Sequence, residues 1–165
     1  MLLQMKVFGI TIDPFTNAPI VILKDMEEKN SLPVWIGVLE ASSIAAELEN
    51  IRFSRPMTHD LMREILKNLG ISLEKIEVND LKDNVYYAKI HLTSLGNPLV
   101  IDARPSDAIA LALRMSSPIF VDTVVLEKSK SIDLRGEEGK KGRGSKDLLD
   151  MLEELSPEDF GKYKM

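Results

Sequence analysis

The sequence predicts an α+β domain: a mixed, mainly antiparallel sheet with about three helices packed on it, plus a short C-terminal helical appendage. Three observations support this fold class. The connections between the first three strand-like segments are too short for crossover helices, which indicates antiparallel pairing. An amphipathic helical pattern ends at Gly70. An almost wholly apolar helix follows the dipeptide Arg104-Pro105.

Composition narrows the possible functions. The 165 residues fit one domain, and 44% hydrophobic with 28% charged residues is typical of a soluble globular protein. A net charge of −5 argues against a broadly basic nucleic-acid surface, although a local basic groove remains compatible with it. The absence of cysteine excludes thiolate chemistry, and two histidines disfavour a multi-histidine zinc centre. The sequence has neither a membrane-spanning apolar run nor a signal-peptide pattern, so we expect a cytoplasmic protein without membrane contact.

The N-terminal third is predicted to form three strands and a helix. Residues 5–12, 18–23 and 32–37 carry β-branched and aromatic residues between turn-forming segments, which predicts an antiparallel meander. Residues 38–50 have apolar side chains at helical spacing and predict the first helix. Trp35, the only tryptophan, is expected in the core or at an interface.

The middle of the chain predicts a capped helix followed by a hairpin. Thr58 is expected to be the N-cap of a helix that ends at Gly70 in a left-handed conformation. Residues 72–78 and 84–93 then predict paired strands around a turn at 80–84.

Beyond the hairpin, the pattern alternates again between strand and helix. Residues 98–101 predict an apolar strand, and the wholly apolar run 108–113 predicts a helix that is buried on every side. A final strand is expected over residues 119–126.

A change in composition after residue 126 predicts the domain organisation. The folded domain is assigned to residues 1–126, followed at 127–146 by a flexible linker rich in charge, glycine and lysine. Residues 147–165 predict a short helical tail whose leucines cannot be buried within the tail itself. We therefore expect the tail to dock on the core, on a sister subunit or on another protein.

Two predicted helix starts carry the same chemistry. The segments RPMTHD at 55–60 and RPSD at 104–107 each place an arginine before a proline, then a hydroxyl residue, then an aspartate. Arginine offers a planar fork to phosphate, and a hydroxyl together with the free amides of a helix start completes an anion site. The expected substrate-binding residues are therefore Arg55, Arg104, Thr58 and Ser106.

Carboxylates near these starts suggest metal or acid–base chemistry. Asp102 ends an apolar strand, where we expect it to be partly buried and on the same face as Arg104. Converging carboxylates suit a hard cation such as Mg²⁺ or Mn²⁺, or orient an attacking water, as in a phosphodiesterase. The candidate metal ligands are Glu40, Asp60, Asp102 and Asp107. Histidine titrates near neutral pH and suits a general base. The candidate catalytic residues are Asp102, Asp107, Asp60 and His59.

The same residues also fit structural roles, because acidic and hydroxyl residues are common in first helical turns. Ser106 or Asp107 also suits a helix cap, and Asp102 with Arg104 also suits a local ion pair. His59 also fits a surface position in the first turn. Glu40 adds an acidic residue at the start of the first predicted helix, so three helix starts carry carboxylates. Convergence of these three helix starts on one cleft is the condition that separates a functional site from simple capping.

Three motifs resemble the bifunctional nuclease domain family, in particular its bacterial single-domain members. They are LPVWIG followed by Glu40-Ala41, RPMTHDL at 55–61 and DARPSDAIALA at 102–112, in order and at family-like spacing. The resemblance covers roughly residues 1–126. It implies a compact α+β domain that dimerises and a nuclease activity on both RNA and DNA. Some members carry a UvrB/UvrC-type helical motif after the domain, which residues 144–165 do not match.

Three functional hypotheses follow from these observations. The first is a nuclease that hydrolyses phosphodiester bonds of RNA or DNA with a divalent metal and acts as a homodimer. The second is a non-enzymatic dimeric binding or regulatory module, in which the motifs are caps and ion pairs that shape a subunit interface. The third is a sensor of small anions or nucleotides that uses the same helix starts.

Overall fold

The computed structural model describes residues 1–130, which form one seven-stranded sheet with helices against it. The elements in chain order are β1 (Leu2–Ile12), β2 (Pro19–Asp25), β3 (Ser31–Trp35), α1 (Val38–Leu48), α2 (Thr58–Asn68), β4 (Ile71–Lys82), β5 (Val85–Ser94), β6 (Asn97–Ala103), α3 (Pro105–Met115) and β7 (Ile119–Asp122). Residues 123–130 form a further helix. The predicted α+β class is confirmed.

The sheet is mixed but mainly antiparallel, with the strand order β3-β2-β1-β7-β4-β5-β6. The first three strands form the predicted meander. The last strand, β7, inserts between β1 and β4, pairing antiparallel with β1 and parallel with β4. Since β7 joins the two halves of the sheet, residues that are distant in sequence meet at its centre.

The hairpin β4–β5 is longer than the sequence predicts. Lys82 pairs with Val85, so the turn contains only Asp83 and Asn84, with φ angles of 49° and 62°. Positive φ at both central residues is what a two-residue type I′ turn requires, and asparagine and aspartate tolerate it better than most residues. The predicted turn at 80–84 is therefore too wide.

The helix α3 is the centre of the helical layer. It packs against α1 and α2 on its flanks and against β4 and β5 beneath it. Its run from Ala108 to Ala112 is buried, as predicted for a helix that is apolar on every face. Because α3 is covered on all sides, its N-terminal turn is held rigidly beside the starts of α1 and α2.

The final predicted strand is wrong in its second half. The strand β7 ends at Asp122, whose carboxylate accepts a hydrogen bond from the Val124 N–H at 3.0 Å and so starts a helix. Val125 and Leu126 are buried while Val124 is 45% exposed, which is a helical and not an alternating pattern. Residues 127–130 of the predicted linker continue this helix. The rest of the linker and the predicted tail at 147–165 lie outside the described residues.

Within residues 1–130, no helix combines the length and the apolar character that crossing a bilayer requires.

Candidate active site at the helix starts

The first turns of α1, α2 and α3 meet at one cavity of about 490 Å³, which we call the helix-start cleft. Residues from all three helices and from the α1–α2 connection line it, among them Glu40, Ser43, Phe53, Met57, Thr58, His59, Arg104, Asp107 and Arg114. The convergence on which the functional interpretation depends is therefore present. Six of the predicted site residues contribute to this cleft or to its support: Glu40, Thr58, His59, Asp60, Arg104 and Asp107.

Arg104 bridges two carboxylates at the mouth of the cleft. Its Nη1 lies 2.8 Å from Glu40 Oε1, and its Nε lies 2.8 Å from Asp107 Oδ2. The hydrogen bond and charge of Asp107, followed by those of Glu40, raise the pKa of the guanidinium further. Gly37 makes room for this pair, because a Cβ there would overlap the Glu40 carboxylate. The side chain of Arg104 is nevertheless 65% exposed, so its remaining N–H donors are accessible to a ligand.

His59 is buried and hydrogen-bonded through both ring nitrogens, which makes the predicted surface position wrong. Its Nε2 lies 3.0 Å from Asp107 Oδ1, and its Nδ1 lies 2.7 Å from Ser43 Oγ. Only 6% of the residue is exposed. Burial is tolerated because each nitrogen has a partner of matching polarity.

Asp107 is shared between the imidazole of His59 and the guanidinium of Arg104. Burial by itself raises the pKa of this carboxyl, but the hydrogen bonds from Arg104 and then from His59 outweigh burial and leave the pKa below its usual value. The carboxylate is therefore ionised at neutral pH and acts only as a hydrogen-bond acceptor.

Asp60 holds α2 to α3 and does not face the other carboxylates. Its Oδ1 accepts a hydrogen bond from Arg114 Nε at 2.8 Å, and its Oδ2 accepts one from the Met57 N–H at 3.0 Å. Burial raises the pKa of Asp60, and these two bonds lower it further than burial raises it. Met57 is thus the N-cap residue and Thr58 is the first helical residue, which corrects the predicted cap at Thr58.

Asp102 and Arg55 lie outside the cleft. Asp102 is exposed on the edge strand β6, contrary to the expected partial burial, and within residues 1–130 its carboxylate makes no side-chain hydrogen bond or ion pair. The expected Asp102–Arg104 ion pair is wrong, because Arg104 is the N-cap residue of α3 and meets Asp107 three residues ahead. Arg55 is also exposed and bonds to none of the described residues.

A second cavity of about 590 Å³ adjoins the first and is lined by Trp35, Tyr86 and Ser106 among others. Arg104 lines both cavities. Trp35 is 42% exposed, and its indole N–H donates a hydrogen bond to Asp13 Oδ2 at 2.9 Å. Trp35 is therefore partly exposed at a cavity wall and not buried in the core. Ser106 is buried behind the second cavity and not in the helix-start cleft.

The four predicted metal ligands do not form a group. In the part of the chain that the structure describes, no three His, Cys, Asp or Glu side chains are placed to hold one metal ion. Glu40 and Asp107 are both ion-paired with Arg104, Asp60 is ion-paired with Arg114, and Asp102 lies on β6. These side chains do not fit a metal centre, and the expected Mg²⁺ or Mn²⁺ stays a prediction without a ligand set.

Ser43 is the site residue that the sequence pattern did not single out. It lies in the middle of α1, in a stretch of alanine and serine that suggests only a flat packing surface. No local motif marks it, because its partner His59 is 16 residues away. One feature of the sequence could have identified Ser43: it is a polar side chain on the helix face that also carries the buried Ile44 and Ala46.

Fold and site together define an α+β domain with a polar cleft built from helix starts, in which His59 and Arg104 share the carboxylate of Asp107. The model of the bifunctional nuclease domain matches residues 21–133, and the chain belongs to this family. The family that the three motifs resemble is thus confirmed.

Similar proteins include an uncharacterised bacterial protein and plant proteins that are named bifunctional nucleases. An uncharacterised protein of Mycobacterium tuberculosis is 33% identical over 162 residues, covering 95% of this chain and 97% of that protein. A protein named Bifunctional nuclease 1 from Oryza sativa subsp. indica is 33% identical over 107 residues, covering 62% of this chain and 32% of the plant protein. Bifunctional nuclease 1 of Arabidopsis thaliana is 32% identical over 109 residues, covering 63% of this chain and 33% of that protein. The chain thus spans about a third of the plant relatives.

Proposed function

We propose that this protein is a nuclease that hydrolyses phosphodiester bonds of RNA or DNA in the helix-start cleft. The observation that carries the proposal is that His59 and Arg104 share the carboxylate of Asp107 in one cleft. A proton-transferring imidazole thereby lies next to a phosphate-binding guanidinium. Family membership and the names of the plant relatives support the same activity.

Arg104 is assigned the role of binding the scissile phosphate. Two of its nitrogens bond to Glu40 and Asp107, which fix the plane of the guanidinium, and the group keeps further donors for an anion. The other arginine at the cleft, Arg114, has a side chain that is only 2% exposed and bonds to Asp60. Arg104 is therefore the accessible cation among the described residues that line the cleft.

His59 is assigned proton transfer during bond cleavage. An imidazole with one nitrogen fixed on a carboxylate keeps a defined tautomer and orientation, which is what general acid–base catalysis needs. Phe53, which is 41% exposed at the cleft, provides an aromatic face on which a nucleobase can stack. The cleft thus offers Arg104 for the phosphate, His59 for proton transfer and Phe53 for the nucleobase.

The chemistry is assigned to side chains because the described carboxylates do not group around a metal position. Glu40 and Asp107 orient the guanidinium of Arg104. Asp60 supports the cleft indirectly, because it is ion-paired with Arg114. No step of this proposal passes through a bound cation.

A comparison of two arginine variants tests the proposal. Arg104→Gln removes the cation at the cleft, and Arg52→Gln removes an exposed arginine that pairs with Glu47 elsewhere on the surface. We expect cleavage of single-stranded RNA and DNA to fall at least about 100-fold in Arg104→Gln, since one lost phosphate donor typically has this effect. Arg52→Gln should retain wild-type rates. Equal rates in the two variants would assign the activity to another site or to a contaminant.

We also propose that the protein acts as a cytoplasmic homodimer in which the edge strand β6 pairs with that of a second copy. Three apolar side chains on this strand are between 43% and 51% exposed: Leu99, Val100 and Ile101. An apolar edge with unpaired backbone groups is a surface that proteins usually cover.

A further inference from the structure

Three side chains from three different helices form one hydrogen-bonded series in the cleft. Ser43 Oγ of α1 lies 2.7 Å from His59 Nδ1 of α2, and His59 Nε2 lies 3.0 Å from Asp107 Oδ1 of α3. Serine, histidine and aspartate in this order are the parts of an activated hydroxyl nucleophile.

The direction of the hydrogen bonds follows from the charge of Asp107. An ionised carboxylate only accepts hydrogen bonds, so the N–H of the neutral imidazole must be on Nε2. Nδ1 then carries the lone pair and accepts a hydrogen bond from the Ser43 hydroxyl. The proton of Ser43 is thus directed at a base that is held in position by Asp107. The two ring nitrogens exchange the places they have in serine proteases, but a proton acceptor facing the hydroxyl is present in both arrangements.

A purely structural role for the Ser43–His59–Asp107 hydrogen bonds explains the partners of His59 but not the position of Ser43 beside the cleft. A buried histidine needs partners for both nitrogens, and any donor at the position of Ser43 would satisfy Nδ1. Ser43, however, is only half-buried and borders the same cleft as the guanidinium of Arg104. A hydroxyl that faces a base on one side and an anion-binding cleft on the other is placed for attack on a bound phosphoryl group.

We propose that Ser43 is the nucleophile of this site and forms a covalent phosphoryl-serine intermediate; this inference rests on the proposed nuclease function. Ser43 Oγ attacks phosphorus, so that the Oγ–P bond forms while the bond from phosphorus to the leaving nucleoside oxygen breaks. The Ser43 proton passes to His59 Nδ1 and from there to the leaving oxygen, which departs as a hydroxyl. Arg104 balances the negative charge on the phosphoryl oxygens.

Water then hydrolyses the phosphoryl-serine intermediate, and His59 again transfers the proton. The water attacks phosphorus and gives one proton to His59 Nδ1, and the P–Oγ bond breaks. His59 returns the proton to Ser43 Oγ, and the product leaves as a phosphate monoester. Asp107 is a positioning residue in both halves, because it holds the ring and does not contact the reacting atoms.

A fluorophosphonate probe tests the nucleophile independently of nuclease turnover, because the hydroxyl of an activated serine attacks its phosphorus, forms a phosphonyl ester and displaces fluoride. The matched control is Ser42→Ala. Ser42 also borders the cleft, but its hydroxyl donates to the Val38 carbonyl of its own helix at 2.9 Å. Intact-mass spectrometry should find one adduct on the wild type and on Ser42→Ala, with peptide mapping to Ser43, and no adduct on Ser43→Ala. His59→Gln should slow labelling at least about 100-fold.

Three results would overturn the inference: an unlabelled wild type in probe excess, equal labelling of Ser43→Ala, or wild-type labelling rates in His59→Gln. The Ser43→Ala and Ser42→Ala pair decides the question even if His59→Gln does not fold. Nuclease assays on the same samples separate this inference from the proposed function. A Ser43-specific adduct without nuclease activity removes the phosphodiesterase function and retains the activated serine. Full nuclease activity in Ser43→Ala retains the function and removes the nucleophile.

Discussion

His59 and Asp107 join the first turns of α2 and α3 through a bond of 3.0 Å between Nε2 and Oδ1, although they are 48 residues apart in sequence. The two helix starts that carry the same arginine–proline–hydroxyl–aspartate pattern are therefore physically linked. They are not equivalent, however. The aspartate of the second start bonds to the histidine of the first, whereas Asp60 of the first start bonds to Arg114 at the end of α3.

Asp107→Asn should lower nuclease activity at least about 100-fold, because an amide has no charge with which to hold the imidazole tautomer and the Arg104 guanidinium. Asp102→Asn provides the comparison, since Asp102 is exposed and its carboxylate has no side-chain partner within residues 1–130. We expect Asp102→Asn to keep the wild-type kcat on single-stranded substrates. A large loss in Asp102→Asn would favour the sequence-based assignment of Asp102 to the active site, and little change in Asp107→Asn would contradict the arrangement in the structure.

The sequence alone predicts the sheet, the meander and the buried helix, because these follow from apolar spacing that is local in the chain. The repeated motif also singles out two of the helix starts, but the sequence leaves open whether they converge. The sequence does not predict which side chains form hydrogen bonds and ion pairs with one another inside the cleft. Asp102 is two residues from Arg104 and Asp107 is three, yet the guanidinium pairs with Asp107 and with Glu40 of another helix. Arg104 is the N-cap residue of α3, so Asp107 lies one helical turn ahead of it.

The sequence also does not predict which of the candidate site residues are buried. Asp102 follows the apolar residues 98–101, which suggests a buried strand, but β6 is an edge strand that the helices do not cover. His59 follows a polar segment and would suit the surface, but α3 packs over it. Both errors arise because burial depends on which element lies opposite, and the order of strands in the sheet decides that.

Asp60→Asn should destabilise the fold. Arg114 is buried, and its Nε would lose an ionised partner at 2.8 Å, which for a buried ion pair costs about 3 kcal/mol of the free energy of unfolding. The control is Glu28→Gln, which removes the exposed ion pair with Lys6 and should change stability by about 0.5 kcal/mol or less. Urea unfolding at neutral pH measures both values. Similar small losses in the two variants would mean that Arg114 is satisfied by its backbone partners alone.

Acid should weaken the fold through Asp60 and Asp107. The pKa of each carboxyl is lower in the folded protein than the ordinary value of 3.8, so the unfolded chain takes up protons first as the pH falls. The stabilisation is complete above about pH 4 and is lost as the pH falls through the lowered pKa of the folded state. Melting temperatures measured between pH 7 and pH 2 should therefore decline only below about pH 4. Asp60→Asn should decline less steeply there than the wild type, and an identical slope would contradict the assignment.

Chelation should leave most nuclease activity intact. Glu40 and Asp107 are both ion-paired with Arg104, and within residues 1–130 no three His, Cys, Asp or Glu side chains are placed to hold one metal ion. We expect rates in excess EDTA to stay within about threefold of rates in Mg²⁺, since the cation would then act only through screening of the substrate charge. Complete loss in EDTA, restored by Mn²⁺ or Mg²⁺ but not by sodium chloride, would establish the metal requirement that the sequence suggested.

The edge strand β6 should mediate dimerisation. Ile101 and Leu99 pair with Ile90 and Leu92, which are buried on the helix side of the sheet, so the apolar surface of that side continues onto an uncovered strand. Light scattering after size exclusion should give twice the 18.5 kDa of one chain for the wild type.

Ile101→Lys should shift that mass to the monomer, because a lysine on an edge strand opposes pairing with a second edge. Val85→Lys is the matched control: Val85 is 53% exposed, but it lies at the β4–β5 turn and not on β6. A monomeric wild type at tens of micromolar, or a dimer that persists unchanged in Ile101→Lys, would place any subunit contact elsewhere. If Ile101→Lys is monomeric and still cleaves RNA or DNA at the wild-type rate, each subunit carries a complete helix-start cleft.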